Sequence, residues 1–244
     1  MPITMTEETS GSFTVDATTG VTASITIPAN ELCLAVFFGN GSSIGTLSAA
    51  STGRTWVQEE TQLGGTVRRL SVFRSLESSE TTGAITFTCT TTMSRGAWIV
   101  ASFANTDTSG TSGSGAVVQS VPASGTNVTT LSITLAAFGS IDNATYGVFG
   151  INSSTNPPYV IGTGFTEINT RQGPIESALM LLAEWRNDND TSVDYTGGNA
   201  TDDPVGIAIE IKFAGGDPES ALVGGKLLYG GLLVGAGNLL GRRS

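Results

Sequence analysis

The sequence predicts an all-β protein: a two-sheet β-sandwich of jelly-roll type, built from two similar halves and followed by an extended C-terminal arm. Three observations carry that expectation. Thirty-two glycines in 244 residues break helices throughout, while abundant Thr suits a pleated, half-buried surface. Short β-prone runs alternate with Gly/Ser/Asn/Thr clusters along the chain, the rhythm of strands and turns. The order of features in the first part recurs in the second at an offset of about 110 residues, the mark of an internal duplication.

Composition narrows the function. Hydrophobic residues make up 39% of the chain, enough for a core, and charged ones only 13%, so solubility rests on Ser, Thr, Asn and Gly. The net charge of −10, with eleven Lys and Arg and no basic stripe, argues against nucleic acid, whose phosphates need clustered cations. The same charge keeps many copies apart until they assemble.

In chain order, residues 1–19 form an N-terminal segment with a strand only near 12–16. The first β half, 20–108, reads as strands near 22–27, 32–38, 55–59, 67–75, 84–88 and 97–103. A Ser/Gly-rich crossover, 109–129, then runs over the surface. The second half, 130–215, carries strands near 130–135, 144–151, 165–170, 177–185, 192–195 and 206–213. "SALMLLAEW" in this half has helical propensity, but its neighbours and its counterpart in the first half make it a strand.

The repeat rests on five correspondences. "LAVFFGN" (34–40) answers to "YGVFGIN" (146–152), and "GRTWVQEE" (53–60) to "GTGFTEIN" (162–169). "RLSVFRSLESS" (69–79) answers to "LMLLAEWRNDN" (179–189), matching Phe73-Arg74 with Trp185-Arg186. "AITFTC" answers to "TSVDYTG", and "RGAWIVASFAN" (95–105) to "PVGIAIEIKFAG" (204–215). Each half thus supplies strands able to bury a face, and two such sheets facing each other make a sandwich.

This succession, from "LAVFFGN" through "RGAWIVASFANTDTSG" to "VGIAIEIKF", resembles a diffuse family of β-sandwich proteins encoded among the virion structural genes of tailed bacteriophages. The family's first half ends in a strand leading to a turn like "ANTDTSG" (104–110), and its second closes with an apolar strand like "GIAIEIKF". The resemblance covers roughly residues 20–214. Its motifs are packing patterns, so it implies architecture and a virion component (a capsid decoration protein, or a tail or fibre subunit) rather than an activity.

Catalytic and ligand chemistry is sparse. The absence of His removes Ser-His-Asp and Cys-His catalysis and the commonest metal ligand. "GNGSSIG" (39–45) is glycine-rich but has no Lys, and reads as a turn. A glycosidase pair would draw on Glu59, Glu60, Glu176 or Glu184. Adjacent Glu59 and Glu60 on a strand point to opposite faces and cannot act together. Glu184 beside Trp185 fits a sugar cleft, or equally a strand-edge carboxylate paired with Arg186 or another arginine. Asp188, Asp190, Asp194, Asp202 and Asp203 gather hard oxygen ligands of the kind Ca²⁺ takes, but without the Gly and bidentate Glu of an EF-hand loop they read as a solvated hairpin loop. The sequence therefore predicts no catalytic residue, metal or cofactor.

Trp98 lies in the apolar run "AWIVASF" and is core; packing is also the default for Trp56 and Trp185, with sugar stacking the alternative. Receptor contacts, if made, fall in the loops 104–130 and 152–164. Cys33 and Cys89, in apolar runs, read as buried free thiols, with a disulfide between them the alternative. The N-terminus has neither a basic nor an apolar signal-peptide region, so the sequons at Asn40, Asn127, Asn143, Asn152, Asn189 and Asn199 are expected to stay unmodified.

The segment 216–244 changes character. Leu227, Leu228, Leu232, Leu233, Leu239 and Leu240 recur between glycines, with Tyr229 among them and Arg242 and Arg243 at the end. Gly231 and Gly235 form a GxxxG, but 227–240 spans only about 21 Å as a helix against a hydrocarbon core of about 30 Å. An assembly arm is expected instead, with leucine pairs filling apolar pockets and the two arginines meeting an acidic neighbour. The sequence thus predicts a non-enzymatic virion protein assembled in the host cytoplasm: a decoration, cement or fibre-type subunit. Its partners are further copies of itself, for which a trimer suits either role, and the major capsid or a tail protein; nucleic acid and a membrane anchor are not among them. The alternative is a tail module that binds a receptor or host surface glycan, and less so a depolymerase.

Overall fold

The strands β4 (Leu32–Asn40) and β13 (Ala144–Asn152) dictate the architecture. In each, eight consecutive residues are buried, so both faces of the strand must be covered. The computed structural model, which describes residues 1–152, 159–172 and 179–215, meets that demand with stacked layers. β4 is the middle strand of an antiparallel sheet ordered β1 (Thr4–Phe13), β10 (Arg95–Ala104), β4, β7 (Arg68–Ser75), β6 (Val57–Gly64). β13 is the middle strand of a second, ordered β11 (Val117–Ser124), β18 (Val205–Ile211), β13, β16 (Leu179–Arg186), β15 (Thr166–Gln172).

These two five-stranded sheets face each other across a middle core. Leu34, Val36 and Phe38 of β4 and Ile99 and Phe103 of β10 meet Tyr146 and Val148 of β13 and Ile207 and Ile209 of β18 there. Phe103 packs edge-on against Tyr146 with ring centroids 5.8 Å apart. Near the centre of this interface Gly150 leaves room for a ring: a Cβ on it would lie 2.6 Å from Phe38 Cδ2.

Each large sheet carries a smaller one on its outer face. β2 (Ala17–Val21), β9 (Thr86–Met93) and β5 (Leu47–Ala50), in that order, enclose Phe37, Phe73, Phe87, Cys89, Trp98 and Val100 in a first outer core. β12 (Leu131–Thr134), β17 (Ser192–Thr196) and β14 (Val160–Ile161) enclose Phe149, Met180, Leu182, Val193, Tyr195 and Phe165 in a second. A two-stranded ribbon of β3 (Ile25–Ile27) and β8 (Thr81–Gly83) lies beside the first. The expected sandwich is therefore deeper than two sheets. Its principal layers hold three, five, five and three strands.

Two stretches expected to lie outside the halves are structural. Residues 1–19 contain β1, paired with β10 from Thr4↔Ala104 to Phe13↔Gly96, so the segment is the edge of the first large sheet rather than a lead-in. The 109–129 stretch contains β11, the edge of the second large sheet, where Pro122 is tolerated because one side of an edge strand needs no ladder bonds. Residues 179–186 are strand, as their context predicts. Polar contacts also cross between the large sheets and their loops: Arg68 pairs with Asp203 at 3.0 Å, and Ser120 donates to Glu59 at 3.0 Å.

Candidate functional site: a buried carboxyl in the second outer core

Alternation along β16 sends Leu181 and Ala183 into the middle core and Met180 and Leu182 into the second outer core. By the same alternation Glu184 points to the outer core, and it is wholly buried. Room for it comes from its cross-strand partner Gly147 on β13. A Cβ on Gly147 would lie 2.2 Å from Val193 Cγ1 and 3.2 Å from Glu184 Cγ.

Among the described residues the carboxyl has one hydrogen-bond donor. Gly162 N–H donates to Glu184 Oε2 at 2.8 Å, while Oε1 is buried with no partner. Burial pushes its pKa from the ordinary 4.5 up to about 8; the Gly162 bond opposes the rise and the charge of Asp194 adds to it. Arg186 does not neutralise it, because the guanidinium is committed elsewhere: Nε to Asp188 at 2.6 Å and Nη1 to Asp190 at 2.7 Å. The strand-edge ion pair with Arg186 is thus corrected, since β16 lies inside its sheet and Arg186 takes two other carboxylates.

Gly162 opens a turn that carries Phe165 into the core. Phe165 N–H closes the turn onto Gly162 O at 3.1 Å, and Gly164 adopts φ +84°, where an L side chain is strained. Arg186 Nη1 also donates to Thr163 O at 3.3 Å. Glu184 and Arg186, two residues apart on one strand, therefore both clip the same turn.

The other buried glutamate differs. Glu210 receives bonds from Gln119 Nε2 and, at 2.6 Å, from Asn143 Nδ2, so both its oxygens are engaged. Neither partner was legible from "IAIEIKF", because both come from distant strands or turns. Of the remaining carboxylate candidates, Glu59 accepts from Arg74 at 2.6 Å and Glu60 accepts from the N–H of Thr61. Glu176 lies outside the described residues.

The aspartates do not converge. Asp188 and Asp190 serve Arg186, while buried Asp202 accepts from Asn199 N–H and Tyr159 OH. Asp203 accepts from Asn127 N–H and Arg68, which hold its pKa below the usual carboxylate range. Among the described residues no three Cys, Asp or Glu side chains form a cation-holding group.

The tryptophans pack as the sequence predicts. Trp98 is in the first outer core, Trp56 lies against it with its N–H donating to Ser51 Oγ, and Trp185 lies 6.2 Å from the Phe103 ring. Cys33 and Cys89 are buried and free, and burial pushes the Cys33 thiol up to about 12. In the loop 152–164, residues 153–158 fall outside the described residues, as does the whole arm with Leu227, Leu228, Tyr229, Leu232, Leu233, Leu239, Leu240, Arg242 and Arg243. No helix among the described residues is long and apolar enough to cross a membrane.

Comparison of the chain with protein-family models, with curated proteins and with solved structures returns no match.

Proposed function

We propose that this chain is a non-enzymatic structural subunit of a phage virion, made of two tandem jelly rolls and joined to its neighbours by the 216–244 arm. The observation that carries the reading is the pair of matching strand orders. β1-β10-β4-β7 with β2-β9-β5 in the first part corresponds, strand for strand, to β11-β18-β13-β16 with β12-β17-β14 in the second. β6 and β15 then extend the two large sheets at equivalent edges. Together with the resemblance carried by "RGAWIVASFANTDTSG" and "GIAIEIKF", this supports a duplicated building block for a particle surface rather than a pocketed enzyme.

The matching orders also refine the sequence correspondence. Val36 pairs with Val72 across β4 and β7, and Val148 with Ala183 across β13 and β16. Counting from those pairs sets Phe73 level with Glu184 and Arg74 level with Trp185. The aromatic-Arg match read from the sequence is therefore one residue out of step, and a buried ring in one half answers to the buried carboxyl in the other.

The arm reading makes its own demand. Ala214, just before the arm, is tied by its N–H to Asn105 O at 2.9 Å, so the arm departs from a fixed point on the body. Light scattering with mass determination on the full chain and on a chain ending at Gly216 tests it. An oligomer that dissociates on truncation is expected if the arm joins like subunits. An unchanged mass, together with unchanged incorporation of the truncated chain into particles, would overturn the assembly role.

A further inference from the structure

Buried carboxyl groups in folded proteins are hydrogen-bonded or paired, and an exception calls for an explanation. Glu184 is such an exception: wholly buried, with one donor for two oxygens and with the nearby guanidinium turned to other partners. Its single donor is not on a sheet neighbour. It is Gly162, at the start of the turn that follows β14 and seats Phe165 in the second outer core.

We propose that Glu184 is a proton-dependent latch: in its neutral form it holds β14 and the 162–165 turn over the second outer core, and loss of the proton releases them. The charges around the group explain the direction. β17 presents Asp194, whose Oδ1 lies near Gly162, and Tyr195, whose buried hydroxyl has no partner. β15 sets Glu167 opposite Glu184 in the ladder. β13 contributes Gly147, and the turn contributes Gly162, Thr163, Gly164 and Phe165, none of which is ionisable. An ionised Glu184 therefore meets the charge of Asp194 and, among the described residues, no uncommitted cation, in a site with one N–H to solvate it.

The cheapest relief is local. β14 is two residues long and, among the described residues, pairs only with β17, through Val160↔Thr196 and Ile161↔Tyr195. Opening lets water reach the carboxylate without breaking either five-stranded sheet. It also lifts Ile161 and Phe165 off Phe149, Met180 and Tyr195, so proton loss uncovers an apolar surface.

Hydrogen exchange read by mass spectrometry on the full chain between pH 6 and pH 9 tests the latch. Peptides covering 159–165 should gain roughly tenfold or more in opening after correction for the intrinsic rate, with a midpoint near 8. Glu184→Gln should remain closed across the range, and Asp194→Asn should move the midpoint to lower pH, because it removes a charge that holds the proton on Glu184. A wild-type profile flat with pH, or one identical in Glu184→Gln, would overturn the proposal. Should Glu184→Gln fail to fold, infrared spectroscopy of wild-type protein carrying ¹³C-labelled glutamate decides. A protonated-carboxyl band at pH 6 that fades near pH 8 supports the latch, and its absence at pH 6 rejects it.

Discussion

Phe38 and Gly150 show how single residues fix the contact between the large sheets. The two fall at the same place in "LAVFFGN" and "YGVFGIN", and they meet: the ring of one occupies the space the other leaves. Gly150→Ala is expected to destabilise the protein by about 1–3 kcal/mol, because Phe38 has no direction in which to yield within a close-packed layer. Urea unfolding measures it, and Phe38→Leu in the same chain should recover part of the loss. Glu184 gives a second residue-scale expectation, with its sign set by linkage. Its folded pKa of about 8 exceeds the ordinary 4.5, so its contribution to stability is complete below 4.5 and is lost as pH rises to about 8. Thermal melts should therefore show Glu184→Gln gaining on the parent as pH rises from 5 to 8. A gap independent of pH would contradict this. The sequence offered Glu184 as one of four candidate carboxylates, for a sugar cleft or an arginine pair, but its burial depends on Gly147 and Gly162, which lie 37 and 22 positions away and carry no local signal.

At the scale of elements, legibility followed apolarity. β4, β7, β10, β13, β16 and β18 were readable because strands in the middle of the stack are apolar runs. β1 was not: "TMTEETSGSF" is Thr, Ser and Glu with little hydrophobic alternation, although it pairs with β10 along its whole length. β11, with Pro122 inside it, was hidden in a Ser/Gly-rich stretch for the same reason. β5, β8 and β14 are too short to show a period. The polar edges share another device. All four outer strands of the large sheets, β1, β6, β11 and β15, carry a register shift, at Glu7/Thr9, Gln58/Glu60, Val117/Gln119 and Glu167/Asn169. Bulges and charges on edges prevent sheets from pairing edge to edge with other chains. Removing residues 1–13 should therefore do more than trim a tail. It bares β10 and deletes Gly11, which lies against the Trp98 ring, so loss of cooperative unfolding and of soluble yield is expected on expression. A truncated chain melting like the parent would show that β1 is dispensable.

For the whole molecule, the stack explains how so few charges suffice. Among the described residues Arg68, Arg74, Arg186 and Lys212 each hold a carboxylate within the chain, at separations of 3.0 Å or less. Those pairs take four of the eleven cations of a chain whose net charge is −10. The all-β class could be read from the sequence, but the order of the strands in their sheets and the depth of the stack could not. A continuous apolar run tells that a strand is covered on two sides without telling which sheet covers it. Assembly, in the proposed function, then falls to the arm and to faces rather than to sheet edges.

The pairing of β1 with β10 also has a consequence in time. Thr4 cannot find Ala104 until that residue has been made, and at cellular rates of synthesis the wait is roughly 5–20 s. Throughout it the first strand of the protein has no partner. A strand of valines and isoleucines left open for so long would seek other nascent chains, whereas Thr, Ser and Glu remain hydrated until β10 arrives. The polarity that conceals β1 from a reader of the sequence is what lets it survive its own translation.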